Sequence, residues 1–366
     1  MPNFRRPILI STRLGSISTP MDELFERFNT YGRAVRDATG GEIGELLILG
    51  SIPKGVLRKR YEFVDYRYIG SNPIIQLIRL SVALHALPNQ RYCFIAGDVW
   101  LGGIQIQLLK SVFFKQAKTQ VSVHGVPSFA SKSILSSAKV FVFRFLLKRV
   151  DSIRVVSHSL IPFLLATTHV KENQIFISPI PMSFPEDTVD VVKSIDVAVV
   201  GRLHVERGIS EATDVLKSLL NADPKRSVLI LGDGPLSEEV RRWHDSLPEP
   251  NSVTLLGHIP NSMVSKKLLA TRVLLSCAVE EGYGLALREA LFCGAFVVAR
   301  RNTGTQELRE LYPEAVFLFD DKDQAQNVLE RILTGEFDNF DNQRVMQKQK
   351  ILDAESLSRL ALSWIN

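Results

Sequence analysis

Two arginines follow a short apolar run in the second half of the chain. Val197–Val200 has the composition of a buried strand, and the segment GRLHVERG, from Gly201 to Gly208, follows it with Arg202 and Arg207. Guanidinium groups at the end of a strand suit a pyrophosphate, because they can hold its oxygens bidentately. Arginines in loops are more often only solvated, so this segment predicts a phosphate site only in combination with others.

A glycine pair precedes a predicted helix later in the same half. Gly282, Tyr283 and Gly284 lie between the predicted strand Val273–Leu275 and the predicted helix Leu285–Cys293. Small residues let backbone N–H groups approach a ligand, and the N-terminus of a helix favours negative charge. This segment therefore also predicts a site for phosphate groups.

Two glutamates accompany the glycine pair, Glu281 in the loop and Glu289 eight residues later on the predicted helix. One carboxylate then lies at the edge of the site and the other on the flank of the helix, where both can accept hydrogen bonds from sugar hydroxyls. The alternative is an amphipathic helix with surface glutamates that ends at Gly294. Because such a helix does not require Gly-Tyr-Gly at its start, the functional interpretation is favoured.

Alternating strands and helices must position these segments. Short β-branched runs predict strands, and segments of helical period separate them. The predicted strands are Ile8–Ser11, Leu46–Leu49, Tyr92–Ala96, Gln120–Val123, Ile153–Val156, Ile175–Ile177, Val197–Val200, Val228–Leu231, Val253–Leu255, Val273–Leu275 and Phe296–Ala299. Repeated β-α-β order with apolar strands predicts parallel sheets that helices cover on both faces. The segment LILGDGP, Leu229–Pro235, adds a glycine-rich turn between the two segments described above.

A charged segment rich in proline divides the chain. Pro179, Pro181 and Pro185 precede PEDTVDVVKS, and this composition is typical of a linker within Ser178–Lys193. We predict an N-terminal domain over residues 1–185 and a C-terminal domain over residues 186–366. Each is predicted to be a doubly wound, Rossmann-like α/β domain, and the two are expected to face each other across a cleft at the carboxyl ends of their strands.

Charge is distributed unevenly over the 366 residues, whose net charge is +5. Residues 1–190 contain 23 Lys and Arg against 14 Asp and Glu (+9), whereas residues 191–366 contain 21 against 25 (−4). The basic half suggests an anionic partner, either a phosphorylated acceptor, a membrane surface or a nucleic acid, and the alternative is a solvated surface without a partner. Because no recognisable nucleic-acid-reading motif is present, we predict no nucleic acid partner.

Cysteine usage and hydropathy predict a cytoplasmic protein. Cys93, Cys277 and Cys293 form no CxxC pair, which argues against a disulfide framework and a zinc site. No run reaches the ~18–20 apolar residues that a membrane-spanning helix needs. The segment KVFVFRFLLKR, Lys139–Arg149, mixes aromatic and cationic residues. It is interpreted either as a peripheral contact with the anionic inner face of a membrane or as a core helix with a basic, exposed end.

Together the segments of the second half resemble the donor domain of the family 4 retaining glycosyltransferases of GT-B fold. The resemblance extends from Val197 to about Leu333. Its landmarks are the Gly-Arg-Leu strand end, Gly-Asp-Gly-Pro, Gly257 after the next strand, and Glu281 and Glu289 within EGYGLALREALFCG. The family implies a nucleotide diphosphate sugar as donor substrate, no cofactor or metal, and transfer to an acceptor hydroxyl with retention of configuration.

The resemblance also implies roles for individual residues. Arg202 and Arg207 would hold the pyrophosphate, Glu281 the sugar hydroxyls and Glu289 the ribose. The C-terminal domain would thus bind the donor, and the N-terminal domain would lie on the acceptor side. Further donor-binding residues implied by the resemblance are Gly15, Gly257, Gly282, Tyr283, Gly284 and Leu285.

In the first half, VSVHGVP resembles the family segment that places a histidine, here His124, where donor and acceptor meet. His124 would help to orient the sugar, although a single histidine is more often structural. The sequence departs from the family at Arg207, where lysine is usual, and in the first loop, where Gly15 stands in place of a Gly-Gly pair. The chain also ends at Asn366, before a helix by which relatives often return to the first domain.

The predicted function is therefore sugar transfer to an acceptor hydroxyl of a glycan or a lipid-linked saccharide. The first alternative is a non-catalytic nucleotide-sugar-binding subunit of a glycan-assembly system. The second is another enzyme of GT-B fold, such as a sugar-nucleotide epimerase or a phosphorylase. A phosphorylase would need a lysine for pyridoxal phosphate, and no lysine lies in a comparable motif.

Overall fold

A computed structural model of the protein describes residues 4–11, 21–51, 58–70, 72–86, 91–125, 134–182, 184, 191–337 and 340–366. The chain divides into two compact units. Unit 1 comprises Met1–Pro181 together with Leu352–Asn366, and unit 2 comprises Met182–Ile351. Each unit has a largely parallel sheet and a hydrophobic core of its own.

The sheet of unit 1 contains eight strands in the described residues. They are β1 (Arg6–Ser11), β2 (Leu46–Gly50), β3 (Arg58–Tyr61), β4 (Val64–Tyr68), β5 (Tyr92–Ala96), β6 (Lys118–Val123), β7 (Ser152–Val155) and β8 (Ile175–Ile177). Their order is β3-β4-β2-β1-β5-β6-β7-β8, and the edge strand β3 pairs antiparallel with β4. Strand order reverses between β1 and β5, which is where a doubly wound sheet places a ligand.

Helices cover this sheet because its central strands are apolar on both faces. Strands β2 and β5 are buried along their whole length. The helices are α1 (Met21–Ala38), α2 (Pro73–His85), α3 (Leu101–Val112), α4 (Ile134–Leu147) and α5 (Leu160–Thr168). In the part of the chain that the structure describes, no helix is both long enough and apolar enough to cross a membrane.

In the part of unit 2 that the structure describes, the sheet contains six parallel strands. They are β9 (Ile195–Val200), β10 (Val228–Leu231), β11 (Val253–Gly257), β12 (Thr271–Ser276), β13 (Phe296–Arg300) and β14 (Val316–Phe319). Their order is β11-β10-β9-β12-β13-β14. This is the strand order of dinucleotide-binding folds, and it reverses between β9 and β12. The prediction of two doubly wound domains is thus confirmed within each unit.

Helices α6 (Ile209–Ala222), α7 (Ser237–Asp245), α8 (Asn261–Leu269), α9 (Leu285–Phe292), α10 (Thr303–Leu311) and α11 (Lys322–Leu333) follow the strands of unit 2 in turn. Helix α6 shows why they pack on the sheet, since Ala212, Leu216 and Leu219 recur at helical spacing and are buried. Each strand therefore leads through a loop at its carboxyl end into a helix, and these loops meet at one edge of the sheet.

The last helix, α12 (Asn342–Ile365), corrects the predicted C-terminal domain. Its last turns belong to unit 1, because Leu360, Trp364 and Ile365 are buried in the core of that unit. Residues 352–366 were assigned to the second domain from position in the chain alone, and that assignment is wrong. The chain does contain a C-terminal helix that returns to the first unit. The division after Pro181 also lies slightly before the predicted end at residue 185.

Candidate functional site

The loops that follow β9 and β12 approach each other at the point where strand order reverses in unit 2. Gly208 has φ 63°, and a Cβ on it would lie 1.9 Å from the carbonyl oxygen of Cys277. Only glycine permits this approach, because a side chain would displace the backbone of the other loop. The N–H of Val279 also donates to the carbonyl of Glu206 at 3.2 Å. The two predicted phosphate segments are therefore held side by side.

A pair of oppositely charged side chains joins these two loops. Arg207 Nη1 donates to Glu281 Oε2 at 2.7 Å, and the Glu281 side chain is only 12% exposed. The other carboxylate oxygen, Oε1, accepts the N–H of Gly284 at 3.3 Å. Gly284, at φ 71°, is the N-cap of α9. Glu281 is thus held between a guanidinium group and the positive end of a helix.

The first turn of α10, which follows β13, also contacts Glu281. A Cβ on Gly304 would lie 2.0 Å from the carbonyl oxygen of Glu281. Asn302 caps α10 by accepting the N–H of Thr305, and its amide nitrogen donates to the carbonyl of Ala278 at 3.0 Å. The sequence analysis did not identify Gly304 and Asn302 as site residues. Their signal is the run Asn-Thr-Gly-Thr one residue after a strand, which combines a helix cap with a glycine.

Arg202 lies at the solvent-exposed side of the same edge. Its side chain is 63% exposed, and Nη2 is 3.8 Å from Glu206 Oε2. An exposed ion pair at this distance contributes little to stability. The Arg202 guanidinium can therefore exchange this carboxylate for a ligand anion at low cost.

The glycine-rich turn after β10 packs against its neighbours on both sides. A Cβ on Gly232 would lie 1.8 Å from the carbonyl oxygen of Gly201, and one on Gly234 would lie 2.4 Å from that of Leu203. The N–H of Gly232 donates to the carbonyl of Gly257 at 2.8 Å. Gly257 itself has φ 64° and open space where a Cβ would lie. The ends of β9, β10 and β11 thus form one continuous backbone surface.

The side chain of Tyr283 lies in the interior of unit 2. Its hydroxyl accepts from Gln349 Nε2 on α12 at 2.9 Å, and its carbonyl accepts from Arg288 Nε at 3.0 Å. Arg288 also donates to Gln349 Oε1 at 2.9 Å. These contacts fix the start of α9 against α12. A donor contact by Tyr283 would therefore have to come from its backbone.

The other predicted residues of unit 2 lie along the same loop and helix. Gly282 is half-buried between Glu281 and Tyr283, and Leu285 is exposed as the first residue of α9. Glu289 lies one turn further along α9 and is half-buried. The structure thus gathers Arg202, Arg207 and the segment from Glu281 to Glu289 at one edge of unit 2, as their predicted position at strand ends requires.

In unit 1, His124 directly follows β6. Its Nε2 lies 3.1 Å from the carbonyl oxygen of Gly97; since a carbonyl only accepts, Nε2 carries the proton and Nδ1 is the acceptor. One side of the imidazole is open to solvent, but protein atoms enclose the rest. Burial first, then the charges of Arg154 and Arg27, lower the pKa of His124 to about 4 despite the bond to Gly97. The ring is therefore neutral at neutral pH.

Gly15, the remaining predicted donor-binding residue, lies outside the described residues.

Comparisons with known proteins agree with this architecture. Residues 184–351 match the family model described as glycosyl transferases group 1. The gpi3 subunit of phosphatidylinositol N-acetylglucosaminyltransferase from Schizosaccharomyces pombe is 22% identical over 226 residues, which are 61% of this chain and 49% of the relative. A GDP-mannose-dependent alpha-(1-6)-phosphatidylinositol dimannoside mannosyltransferase from Mycobacterium tuberculosis is 32% identical over 109 residues, 30% of this chain and 28% of the relative. The chain thus spans about half the length, or less, of these curated relatives.

A likeness to solved structures extends over both units. The α,α-trehalose 6-phosphate synthase from Burkholderia multivorans has a TM-score of 0.70 with 13% identity, covering 98% of each chain. At this identity the likeness concerns the fold alone. The chain has the GT-B fold, as predicted.

Proposed function

From the premise that residues 184–351 belong to the glycosyl transferases group 1 family, we propose that the protein is a retaining glycosyltransferase. It moves a sugar from a nucleotide diphosphate sugar to an acceptor hydroxyl. Unit 2 binds the donor at the carboxyl ends of β9 and β12, where a doubly wound sheet binds ligands.

The pairing of Arg207 with Glu281 at 2.7 Å carries this proposal. It places a cation suited to a pyrophosphate next to a carboxylate suited to sugar hydroxyls, as the two ends of a nucleotide sugar require. A guanidinium group has five N–H donors in a planar fork, so Arg207 can keep Glu281 and still donate to phosphate oxygens. Glu281 is thereby held in place before the donor binds.

Charge stabilisation is the main chemical contribution of unit 2. When the bond between the anomeric carbon and the diphosphate breaks, negative charge develops on the leaving oxygen. Arg202, Arg207 and the N-terminus of α9 lie where they can stabilise that charge, and preorganised donors of this kind are effective because they need not reorient. We propose that these groups, without a metal ion, neutralise the leaving diphosphate.

Retention follows from attack on the face that the diphosphate leaves. The new bond between the anomeric carbon and the acceptor oxygen forms as the old one breaks, and the acceptor proton passes to an oxygen of the leaving diphosphate. Glu289 binds the ribose of the donor. A neutral His124 cannot act as an acid at neutral pH, and we propose that its Nδ1 accepts a hydrogen bond from a sugar hydroxyl.

We propose a lipid-linked acceptor. The relatives from Schizosaccharomyces pombe and Mycobacterium tuberculosis are both named for acceptors that contain phosphatidylinositol. A phosphoinositide headgroup is anionic, which agrees with the +9 charge of residues 1–190. Transfer to phosphatidylinositol in detergent micelles, compared with a neutral glycolipid, tests this part of the proposal.

The acceptor would bring the protein to a membrane, and α4 offers a surface for that contact. Phe141 and Phe145 are 68% and 43% exposed, and the Arg149 guanidinium lies 3.5 Å from the centroid of the Phe145 ring. Exposed aromatic side chains on a helix, together with a cationic side chain in the turn that follows it, suit the interface of an anionic bilayer. The three cysteines are buried and free, which suits a reducing compartment and hence the cytoplasmic face.

Co-sedimentation with phosphatidylserine-containing vesicles tests this contact. Replacing Lys148 and Arg149 with Ser should release the protein from these vesicles, because about 1 kcal/mol per basic residue is lost at the surface. The pair Lys225→Ser and Lys266→Ser, on the exposed surface of unit 2, is the matched control. Equal binding by both double variants would argue against α4 as the contact.

Thermal shift with UDP, GDP and ADP and their sugar conjugates, without added metal, tests the donor site. A ligand at 100 times its dissociation constant stabilises the native state by about 2.7 kcal/mol. We expect one nucleotide to raise the melting temperature, and Glu289→Ala to abolish the rise. Glu310→Ala, an exposed glutamate on α10, should behave as wild type. If none of these nucleotides or sugar conjugates raises the melting temperature, the proposed donor site is refuted.

The same experiment bears on the second candidate, a non-catalytic nucleotide-sugar-binding subunit. The Schizosaccharomyces pombe relative is itself named as a subunit. A clear shift with a nucleotide sugar, combined with neither hydrolysis of that donor nor transfer to phosphatidylinositol, would favour this candidate over the enzyme.

A further inference from the structure

Unit 1 contains a pocket of about 220 Å³ at the carboxyl ends of its strands, where strand order reverses. Leu9, Ile95, Ser122 and Arg154 form its floor. They share one face of the sheet because Leu9 is in register with Ile95 and Ser122 with Arg154. Helix α1 forms one wall. The pocket is smaller than the ~300–1,000 Å³ of drug-sized sites, so it suits a headgroup of about one ring and one phosphate.

Arg154 supplies a buried positive charge to this pocket. Its side chain is almost fully buried, and Nε and Nη2 donate to the carbonyls of Ser178 and Pro179, each at 2.8 Å. Its Cζ also lies 5.7 Å from the centroid of the Tyr31 ring. Among the described residues, no carboxylate lies within ion-pair distance of Arg154. A buried charge without a counter-ion is costly, and an anion in the pocket would offset that cost.

A second arginine faces the same pocket from the opposite side. Arg27 on α1 lines it and is half-buried. His124 lines it as well, and the charges of Arg154 and Arg27 both lower its pKa. The described lining residues include no aspartate or glutamate. Within the described lining, Arg154 and Arg27 therefore contribute positive charge and no side chain contributes a carboxylate.

The remaining wall is aromatic. Tyr31 and Trp364 lie edge to face with ring centroids 5.9 Å apart, and Trp364 Nε1 donates to Gln120 Oε1 at 2.7 Å. These bonds hold the wall rigid, so Arg154 and the rings keep their positions when a ligand enters. Ser122 adds a hydroxyl next to the apolar surface. Such a mixture suits a polyhydroxylated ring that carries a phosphate.

We propose that this pocket binds a phosphate ester of the acceptor, held by Arg154 and Arg27. The inference rests on the proposed glycosyltransferase function, and it assigns to unit 1 a specific ligand chemistry. The guanidinium of Arg154, on the floor of the pocket, donates hydrogen bonds to the phosphate oxygens. The guanidinium of Arg27 donates to them from α1. The phosphate is either the diester of a lipid headgroup or the monoester of a soluble sugar phosphate.

Calorimetric titration of the full chain with two probes tests this pocket and separates its two sources. Glycerophosphoinositol represents the lipid headgroup diester, and glucose 6-phosphate represents the soluble monoester. We expect one of them to bind, with binding weakened about 10-fold or more in Arg27→Gln, because the variant loses a charge-assisted hydrogen bond to the phosphate. Arg154→Lys should weaken it as well, since lysine keeps the charge but loses the planar fork.

The controls keep this inference separate from the proposed function. Arg33→Gln changes an exposed arginine on the same helix, one that pairs with Glu62 at 3.6 Å, and should bind the probe as wild type does. All variants should keep the nucleotide thermal shift of unit 2. If neither probe binds while the nucleotide shift persists, or if Arg27→Gln and Arg154→Lys leave binding unchanged, the anion pocket is refuted and the donor site is not.

Discussion

The carboxyl edges of the two units are built differently. In unit 2, backbone approaches backbone so closely that an added Cβ would lie 1.8–2.4 Å from a carbonyl oxygen at Gly208, Gly232, Gly234 and Gly304. In unit 1, the glycines that follow β5 and β6, Gly97 and Gly125, have open space where a Cβ would lie. The pocket there is formed instead by side chains such as Arg154 and His124, which backbone carbonyls hold in place.

This difference explains why one site can be read from the sequence and the other cannot. Close backbone approach requires glycine at fixed positions, so the donor edge of unit 2 leaves contiguous motifs in the chain. By contrast, a pocket lined by side chains consists of single residues that come from separate helices and strands. Arg27, Arg154 and Trp364 come from α1, β7 and α12, and no local pattern connects them.

The largest effect is expected where the backbone contact in unit 2 is tightest. Gly208→Ala should lower the free energy of unfolding by about 2–5 kcal/mol, which combines a left-handed alanine with overpacking against Cys277. Gly257→Ala is the matched control, since its φ of 64° equals that of Gly208 within a degree but its Cβ would meet nothing. It should cost only about 1–2 kcal/mol in urea unfolding. Equal losses of unfolding free energy in the two variants would show that the close backbone contact at Gly208 does not contribute to stability at the carboxyl edge of unit 2.

Arg202→Ala should lower turnover by about 100-fold or more, because it removes a donor that stabilises the leaving diphosphate. The melting temperature should not change, since the side chain is 63% exposed. Arg241→Ala is the control: this arginine is similarly exposed and pairs with Glu238 on α7. Initial rates with saturating donor measure both variants. Wild-type turnover in Arg202→Ala would contradict the phosphate role assigned to unit 2.

The parts of the fold that the sequence predicted are those with continuous apolar runs. Every strand that was predicted has such a run, and its bounds were predicted within a few residues. The edge strand β14 was nevertheless missed, although Val316–Phe319 is apolar throughout. Strands β3 and β4 were missed because charged residues interrupt them, as in RKRY. Their charges are paired: Arg58 and Arg67 donate to Asp65, and although burial opposes ionisation, these arginines hold the pKa of Asp65 below its usual value.

The donor site of unit 2, like the fold, could be predicted only where local sequence patterns determine it. The sequence placed Arg207 and Glu281 after the carboxyl ends of two strands, but it did not predict strand order. The pairing of β9 with β12, which brings the two side chains into contact, is a finding of the structure. The sequence also did not indicate that Tyr283 turns inward, because that depends on Gln349, which lies far away in the chain on α12. The return of α12 to unit 1 was missed for a similar reason. Helical period shows which face of a helix is apolar, but not which core that face enters.

The wall of the unit 1 pocket allows a smaller, side-chain test. Trp364→Phe removes the donor to Gln120 Oε1 and leaves a buried acceptor without its partner, which should cost about 1–2 kcal/mol in unfolding free energy. The matched control is Trp243→Phe in unit 2. The Trp243 Nε1 is buried without a hydrogen-bond partner in the described residues, so its removal should be nearly neutral. Similar losses in both variants would mean that ring size, rather than the hydrogen bond, anchors α12.

The smallest expected effect is the pH response of His124, which depends first on burial and then on the charges of the unit 1 pocket. Burial and the neighbouring arginines lower the pKa of His124 from 6.5 to about 4. Between these pH values the unfolded chain binds a proton that the folded chain excludes, so the stability that neutral His124 provides is complete above about pH 6.5 and is lost as pH falls toward 4. His124→Gln removes this titration. Between about pH 7 and pH 5, the free energy of unfolding measured in urea should therefore fall less in the variant than in wild type. The difference should be small, because solvent reaches one side of the ring. Parallel pH profiles would mean that the folded protein tolerates a protonated His124, which would contradict the combined effect of burial and the neighbouring arginines.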